Sequence, residues 1–188
     1  AYNEGVTVFN EAEYATSLRY FDMANQLVPD HFLTNRMLGS NYLLEGDTVK
    51  CAEYLNNALG IFKQRYEDDK LAEVNKALED YERDKSQLSY IYQQLAVIYQ
   101  ASGETRKALD MLTTAAEILP DDASIKRQEL AIYQQNPDLL AEAEEKFKSA
   151  MENDPDDVTV KLAYAALLVK AEQAERAIPL YEEVYKID

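Results

Sequence analysis

Small and large apolar residues recur along the chain in one fixed arrangement. A small residue is followed four places later by a large apolar residue, and three places after that by a second residue that is small in four of the five copies. The copies are Ser17, Phe21 and Ala24; Cys51, Leu55 and Ala58; Ala108, Leu112 and Ala115; Ala143, Phe147 and Ala150; and Ala177, Tyr181 and Val184. Successive copies begin 34, 57, 35 and 34 residues apart, so one unit recurs and one interval carries 23 extra residues. Such a period is typical of repeat proteins, whose units bury their apolar faces against their neighbours.

Within each unit the pattern predicts two helices. In the third unit apolar residues stand three and four apart over 90–100, Ser102 and Gly103 interrupt them, and the pattern resumes at 105 and ends at Pro120. Two helices of about a dozen residues therefore fill each unit. Pro29 and Pro155 end two further units, and the Asp after each proline suits a turn and a helix cap. Pro179 is expected to bend the last helix slightly.

This arrangement resembles the tetratricopeptide repeat. The family's small residue in the first helix matches Gly5, Gly39, Ala96 and Ala165, with Leu130 departing. Its aromatic residue one turn later matches Tyr42, Tyr99 and Tyr133, with Val8 and Leu168 departing. The resemblance implies an all-α fold, a right-handed α-solenoid of antiparallel helix pairs. We expect one solenoid over 1–188, with repeats near 1–30, 31–62, 89–122, 123–157 and 158–188.

The extra residues form an insertion, near 63–88, between the second and third repeats. Its apolar residues continue the helical spacing of Leu55, Leu59, Phe62 and Tyr66 and then follow a heptad seam. The seam comprises Leu71, Val74, Leu78, Tyr81, Lys85, Leu88, Tyr92 and Leu95. This predicts a protruding helical hairpin that turns near Glu67, Asp68 and Asp69. The hairpin is expected to be either a spur whose two helices pack only on each other or a second contact surface for a partner. In a third alternative the helix breaks at Gly60 and the insertion folds back on the body.

The composition of the chain argues against nucleic-acid binding and against membrane insertion. Among 188 residues, 35 acidic against 19 basic groups give a net charge of −16, which disfavours nucleic acid because a phosphate backbone would be repelled. No apolar run approaches the roughly 20 residues that span a bilayer, so membrane insertion is not expected. A single cysteine, Cys51, stands in a slot that elsewhere holds Ser or Ala and is interpreted as a packing residue. We expect a soluble protein, and either cytoplasm or periplasm is compatible with the sequence.

Catalytic chemistry has little support in the sequence. His31 is the one histidine, and with one distant cysteine there is no metal-ligand cluster of the usual type. No glycine-rich phosphate loop, nucleophile elbow or dinucleotide fingerprint occurs. We therefore predict no enzyme, no cofactor and no metal site.

The resemblance places partner binding on a concave groove lined by the first helix of each unit. Its positions here carry Tyr2, Val6, Phe9, Leu33, Arg36, Ser40, Leu43, Tyr90, Gln93, Val97, Gln100, Arg127 and Gln134. This apolar, aromatic and amide-rich set suits an amphipathic helix or extended segment whose acidic residues meet Arg36 and Arg127. The family's clamp for terminal carboxylates needs Lys and Asn at positions that here hold Tyr2, Val6, Met37, Tyr90 and Gln94, so that clamp is absent.

The sequence thus predicts a non-catalytic scaffold that binds a protein or peptide partner in its groove. The alternative is a self-assembling solenoid that contacts other copies through its face or ends.

Overall fold

The computed structural model describes residues 1–68, 74–75 and 79–187, and across these ranges the regular structure is helical. The helices are α1 (Tyr2–Asn10), α2 (Tyr14–Leu27), α3 (Phe32–Leu44), α4 (Thr48–Lys63), α5 (Glu79–Lys85), α6 (Leu88–Ala101), α7 (Thr105–Ile118), α8 (Ala123–Gln135), α9 (Leu140–Asn153), α10 (Val158–Lys170) and α11 (Ala174–Ile187). A π-helical turn, Gln64–Asp68, continues α4, and a 3₁₀ turn, Pro137–Leu139, leads into α9. The all-helical prediction is confirmed.

The chain divides into two compact units. The first, Ala1–Ser102, contains α1 to α6, and the second, Gly103–Asp188, contains α7 to α11. Four of the five predicted helix pairs each lie within one unit, namely α1 with α2, α3 with α4, α8 with α9, and α10 with α11. The single continuous solenoid over 1–188 stays a prediction.

The recurring small and large positions build the core of both units. Phe21, Leu55, Leu112 and Phe147 are each fully buried. Glycines on the first helices leave the space that these side chains fill. A Cβ added at Gly5 would come within 2.8 Å of the Phe21 ring, and one added at Gly39 would come within 2.6 Å of Leu55. Each large side chain therefore fills space that a small residue on the partner helix leaves open.

Left-handed backbone closes the turn between the two helices of several repeats. Gly46 and Gly103 have φ near +80°. The equivalent positions in the first and last repeats hold Ala12 and Glu172, which also adopt positive φ, at 61° and 60°. Two side chains thus occupy a conformation that favours glycine.

The helix caps lie one residue later than the sequence predicts. His31, Asp122 and Asp157 each accept a hydrogen bond from a backbone N–H in the first turn of α3, α8 and α10. These residues follow the repeat-ending prolines by two positions, whereas the residue directly after proline was expected to serve. In the fourth repeat Asn136 is the N-cap residue of the 3₁₀ turn Pro137–Leu139, and Pro137 takes the first helical position. The Asn136 side chain makes no capping bond to this turn, and its amide donates to the Ile132 carbonyl at 2.6 Å at the end of α8.

The insertion departs from the predicted seam. Helix α4 runs unbroken through Gly60, so the predicted break there is not found. Ser86 and Gln87 separate α5 from α6, so Lys85 and Leu88 do not share one uninterrupted helix. The predicted turn residue Asp69 and the seam residues Leu71 and Leu78 lie outside the described residues, and a projecting hairpin tip therefore stays a prediction.

Aromatic packing ties the described part of the insertion to the first unit. The ring centre of Phe62 lies 4.8 Å from that of Tyr66, 6.1 Å from that of Tyr81 and 6.0 Å from that of Phe32 in α3. Tyr66 is fully buried, as is Asp84 of α5. These residues share one core with α3 and α4, so they do not form a self-satisfied spur.

Candidate functional site

The predicted groove positions divide between the two units. Those of the first unit lie on α1, α3 and α6 and are Tyr2, Val6, Phe9, Leu33, Arg36, Ser40, Leu43, Tyr90, Gln93, Val97 and Gln100. Those of the second unit, Arg127 and Gln134, lie on α8. We call these two predicted sets the first and second groove faces.

Arg36 and Tyr90 form the centre of the first groove face. The guanidinium carbon of Arg36 lies 4.6 Å from the centre of the Tyr90 ring, within the range of a cation–π contact. Ser40, only 5% exposed, has its Oγ 3.1 Å from the Tyr90 hydroxyl and 3.2 Å from the Arg36 carbonyl oxygen. Ser40 therefore holds the hydroxyl of Tyr90 and presents little surface to a partner.

The charge of Arg36 is not neutralised within the described residues. Its Nη1 lies 2.9 Å from the sulfur of Met37, and its buried Nε has no hydrogen-bond partner there. A guanidinium has a planar fork of donors that suits a carboxylate. On a chain of −16 net charge, an arginine held in place without a carboxylate is an available site for an acidic group.

An aromatic edge flanks this centre. The Tyr2 ring lies 5.8 Å from that of Phe21 and meets His31 edge-on at 5.2 Å. Burial raises the pKa of Tyr2 and lowers the pKa of His31, so both are neutral at pH 7. The charges of Arg83 and Asp84 also act on both pKa values, less strongly than burial does.

The remaining positions of the first face supply apolar and amide surface. Val97 is the most open of them, at 50% exposure. Phe9 packs edge-on against Tyr14 at 5.3 Å, and Gln93 donates to the Ser89 hydroxyl at 2.7 Å. Val6, Leu33, Leu43 and Gln100 are partly exposed. The face therefore combines one cation with contact surface that carries no charge.

The second groove face is more open and less aromatic. Arg127 is exposed on α8, and the Gln134 carbonyl accepts a hydrogen bond from Lys170 at 3.2 Å. Leu162 and Val169 on α10, which are 40% and 47% exposed, are not among the predicted groove positions. They stand three residues before and four after Ala165, as Arg127 and Gln134 stand around Leu130, so the repeat register could have identified them.

The residues with reactive side chains have structural roles. The His31 ring nitrogen Nδ1 accepts from the Thr34 backbone N–H at 3.3 Å and so caps α3. Cys51 is fully buried, and burial raises the pKa of its thiol to about 11, which keeps it protonated at neutral pH. In the described ranges no three His, Cys, Asp or Glu side chains gather to hold a metal ion. No helix in those ranges has both the length and the apolar character needed to cross a bilayer.

Solved structures share this succession of helix pairs. "Crystal structure of YrrB: a TPR protein with an unusual peptide-binding site" superposes with a TM-score of 0.69 at 16% identity, over all of this chain and 84% of that one. The chain has the tetratricopeptide-repeat fold. MamA matches with a TM-score of 0.67 at 13% identity, over 97% of this chain and 93% of its own. A Podosopora anserina protein with nearly identical TPR-like repeats matches with a TM-score of 0.63 at 16% identity, over 99% and 92% of the two chains. No family model and no curated protein matches the sequence.

The positions at which the family carries its carboxylate clamp hold other side chains in this chain. Met37 is 7% exposed, and Tyr90 stacks on Arg36. Tyr2 and Val6 add apolar surface on α1. The chemistry available at these positions is therefore aromatic and apolar with one guanidinium, which differs from a pocket of lysines and asparagines around a terminal carboxylate.

Proposed function

We propose that this chain is a non-catalytic scaffold that binds a protein or peptide segment on its groove faces, chiefly the first. The observation that carries the proposal is Arg36, which is fixed over Tyr90 with no carboxylate partner among the described residues. Its surroundings are apolar and aromatic. A charged group left in this state is stabilised when a ligand supplies the missing acceptor.

The expected ligand follows from these surroundings. It is a segment with an Asp or Glu that pairs with Arg36 and apolar side chains that pack on Val97, Tyr2 and their neighbours. An amphipathic helix or an extended strand both meet this description. The similarity to YrrB, a TPR protein with an unusual peptide-binding site, supports the proposal at the level of the fold.

A displayed library of random 16-residue peptides, selected against the intact chain, tests the proposal. We expect the selected peptides to share an acidic residue beside apolar ones and to lose at least tenfold in affinity with Arg36→Gln. Arg19→Gln is the matched control, since Arg19 is an exposed arginine on α2 away from the predicted groove positions, and it should leave affinity unchanged. Selected peptides that lack a carboxylate, or equal affinity for both variants, would contradict the role of Arg36.

The alternative, a solenoid that assembles with its own copies, needs no added partner. Light scattering over a concentration series separates the two. A particle mass that stays constant as concentration rises supports the scaffold, whereas growth that Arg36→Gln suppresses would make the groove a contact between copies.

A further inference from the structure

A cavity of about 180 Å³ opens between α7, α8 and α9, inside the second unit. It is separate from the predicted groove positions, none of which lines it. Its walls are Ala116, Lys126, Glu129, Leu130, Lys146, Ser149, Ala150 and Asn153. Since a protein cavity of about 150 Å³ can hold a benzene molecule, this one has room for a group of about six to eight non-hydrogen atoms.

Two residues that line the cavity depart from the repeat register. Ala116 stands where every other repeat has a larger residue, namely Asn25, Leu59, Met151 and Tyr185. Asn153 stands where every other repeat has an aliphatic residue, namely Leu27, Ile61, Ile118 and Ile187. The cavity therefore lies where this copy of the unit has less side-chain volume and one more amide than the other copies.

The last repeat has an ion pair that the cavity lacks. There Nζ of Lys161 lies 2.8 Å from Oε2 of Glu183. The equivalent residues of the fourth repeat are Lys126 and Ser149, both of which line the cavity. Lys126 keeps the cation, but Ser149 brings no carboxylate, and Lys126 makes no ion pair within the described residues. The group missing from this copy is therefore a carboxylate.

The other charges at the cavity are already paired. Glu129 is only 5% exposed, and its Oε1 accepts a hydrogen bond from the Thr113 hydroxyl at 3.0 Å and lies 3.0 Å from Nζ of Lys146. A buried carboxylate is tolerated because of such partners, and it takes up the charge of Lys146. The side chains of Ser149 and Asn153 make no hydrogen bond among the described residues. The cavity therefore keeps one unpaired cation together with two hydrogen-bond donors.

We propose that this cavity binds a carboxylate carried on a short apolar stem. The carboxylate pairs with Lys126 and accepts hydrogen bonds from Ser149 and Asn153, in the role that Glu183 has in the last repeat. The stem packs on the apolar part of the wall, which is formed by Ala116, Leu130 and Ala150. A free carboxylic acid and a glutamate side chain of a partner protein share this chemistry. The site adds a second binding function to the proposed scaffold and does not depend on Arg36.

Titration of the intact chain with isocaproate tests the proposal, with isocaproamide as the uncharged compound of the same shape. Nuclear magnetic resonance of the alanine methyl groups follows binding, because Ala116 and Ala150 line the cavity. We expect isocaproate to shift both methyl signals and to bind at least tenfold more tightly than the amide. Equal affinity of acid and amide, or equal shifts with inorganic phosphate, would overturn the proposal.

A second titration distinguishes the two sources of the carboxylate. It uses a short peptide with one glutamate among uncharged residues, and the same peptide with glutamine in its place. Tighter binding of the glutamate peptide than of isocaproate supports a partner's side chain as the ligand, whereas binding of isocaproate alone supports a free acid. Failure of both to shift the Ala116 and Ala150 signals would overturn the proposal.

Charge variants separate a site from diffuse attraction. Lys126→Gln should weaken isocaproate at least tenfold. The matched control, Arg127→Gln, removes the same charge from the next residue, which does not line the cavity, and should have a much smaller effect. Equal losses in the two variants would show that isocaproate responds only to the net charge, and the proposal would be wrong.

Two further variants occupy the cavity from within. Ser149→Glu supplies the carboxylate that the last repeat has and should abolish isocaproate binding. Thr114→Glu makes the same charge change at the equivalent, exposed position of the third repeat and should leave the affinity unchanged. Ala116→Met fills the cavity without a change of charge and should also abolish binding. Circular dichroism checks that each variant is folded, and unchanged affinity in folded Ser149→Glu would reject the site.

Discussion

The hydroxyl of Tyr66 donates a 2.9 Å hydrogen bond to Oδ2 of Asp84, and both side chains are fully buried. The other oxygen of Asp84 accepts from Arg83 at 3.0 Å. This pair joins the residues before and after the undescribed part of the insertion. A buried carboxylate is tolerated only when its oxygens are satisfied, so the pair explains how a charged residue enters the core of the first unit.

Replacing Tyr66 by phenylalanine should therefore destabilise the protein. The variant keeps the ring that packs on Phe62 but leaves one oxygen of Asp84 without its donor, at a cost of about 1 to 3 kcal/mol. Urea unfolding followed by circular dichroism measures the change. Tyr185→Phe removes an exposed hydroxyl and should shift the midpoint very little. An equal midpoint for the two variants would show that the bond contributes nothing.

The same pair predicts a dependence on alkaline pH. Burial first, and then the hydrogen bond to Asp84, raise the pKa of Tyr66 to about 12. An unfolded tyrosine titrates near 10, so stability from this group is complete below pH 10 and is lost as pH rises towards 12. Thermal midpoints between pH 9 and 12 should fall less steeply for Tyr66→Phe than for the parent chain. Tyr185→Phe should follow the parent, and a parallel fall in all three proteins would refute the assignment.

Replacing residues 64–86 by a short turn should weaken the first unit. The exchange removes the rings of Tyr66 and Tyr81 and exposes Phe62, whose ring also packs on Phe32. Loss of large buried side chains costs about 3 to 5 kcal/mol each in typical cores, so we expect a loss of at least that size. The urea midpoint of the shortened chain measures it. An unchanged midpoint would show that the first unit packs equally well without the insertion.

Glycine at the strained turn positions should stabilise the protein. Ala12 and Glu172 have φ near +60°, a conformation that destabilises a residue with a side chain by about 1 to 2 kcal/mol. Glycine removes this strain, but part of the stabilisation is lost because glycine has more conformational freedom in the unfolded chain. Ala12→Gly and Glu172→Gly should each raise the free energy of unfolding by up to about 1 kcal/mol. Gly46→Ala, at the equivalent position, should lower it. Calorimetry gives all three values, and a loss of stability in both glycine variants would disprove strain at these turns.

Much of the fold could be predicted because its units repeat one packing geometry. Phe21, Leu55 and Leu112 are buried as their shared position requires. The residue types of Ala12 and Glu172 do not indicate positive φ, and in the sequence only their alignment with Gly46 and Gly103 does so. The heptad pattern of the insertion was equally compatible with one helix and with two, and the interruption at Ser86 and Gln87 has no proline or glycine to mark it.

The candidate sites were predicted unevenly for a related reason. Arg36 and Tyr90 were both placed on the groove, but their stacking joins residues far apart in the sequence and depends on how α3 packs against α6. Leu162 and Val169 were missed although their register was available.

The close approach of Gly39 to Leu55, and of Gly5 to Phe21, has a consequence for how the repeats can vary. Each glycine and its large neighbour share one volume of space, so a methyl group gained on one helix must be given up on the other. The two positions therefore behave as one steric unit divided between two helices. A large residue can replace the glycine only if a small residue replaces its large neighbour at the same time. Either substitution alone would leave a steric clash or a cavity.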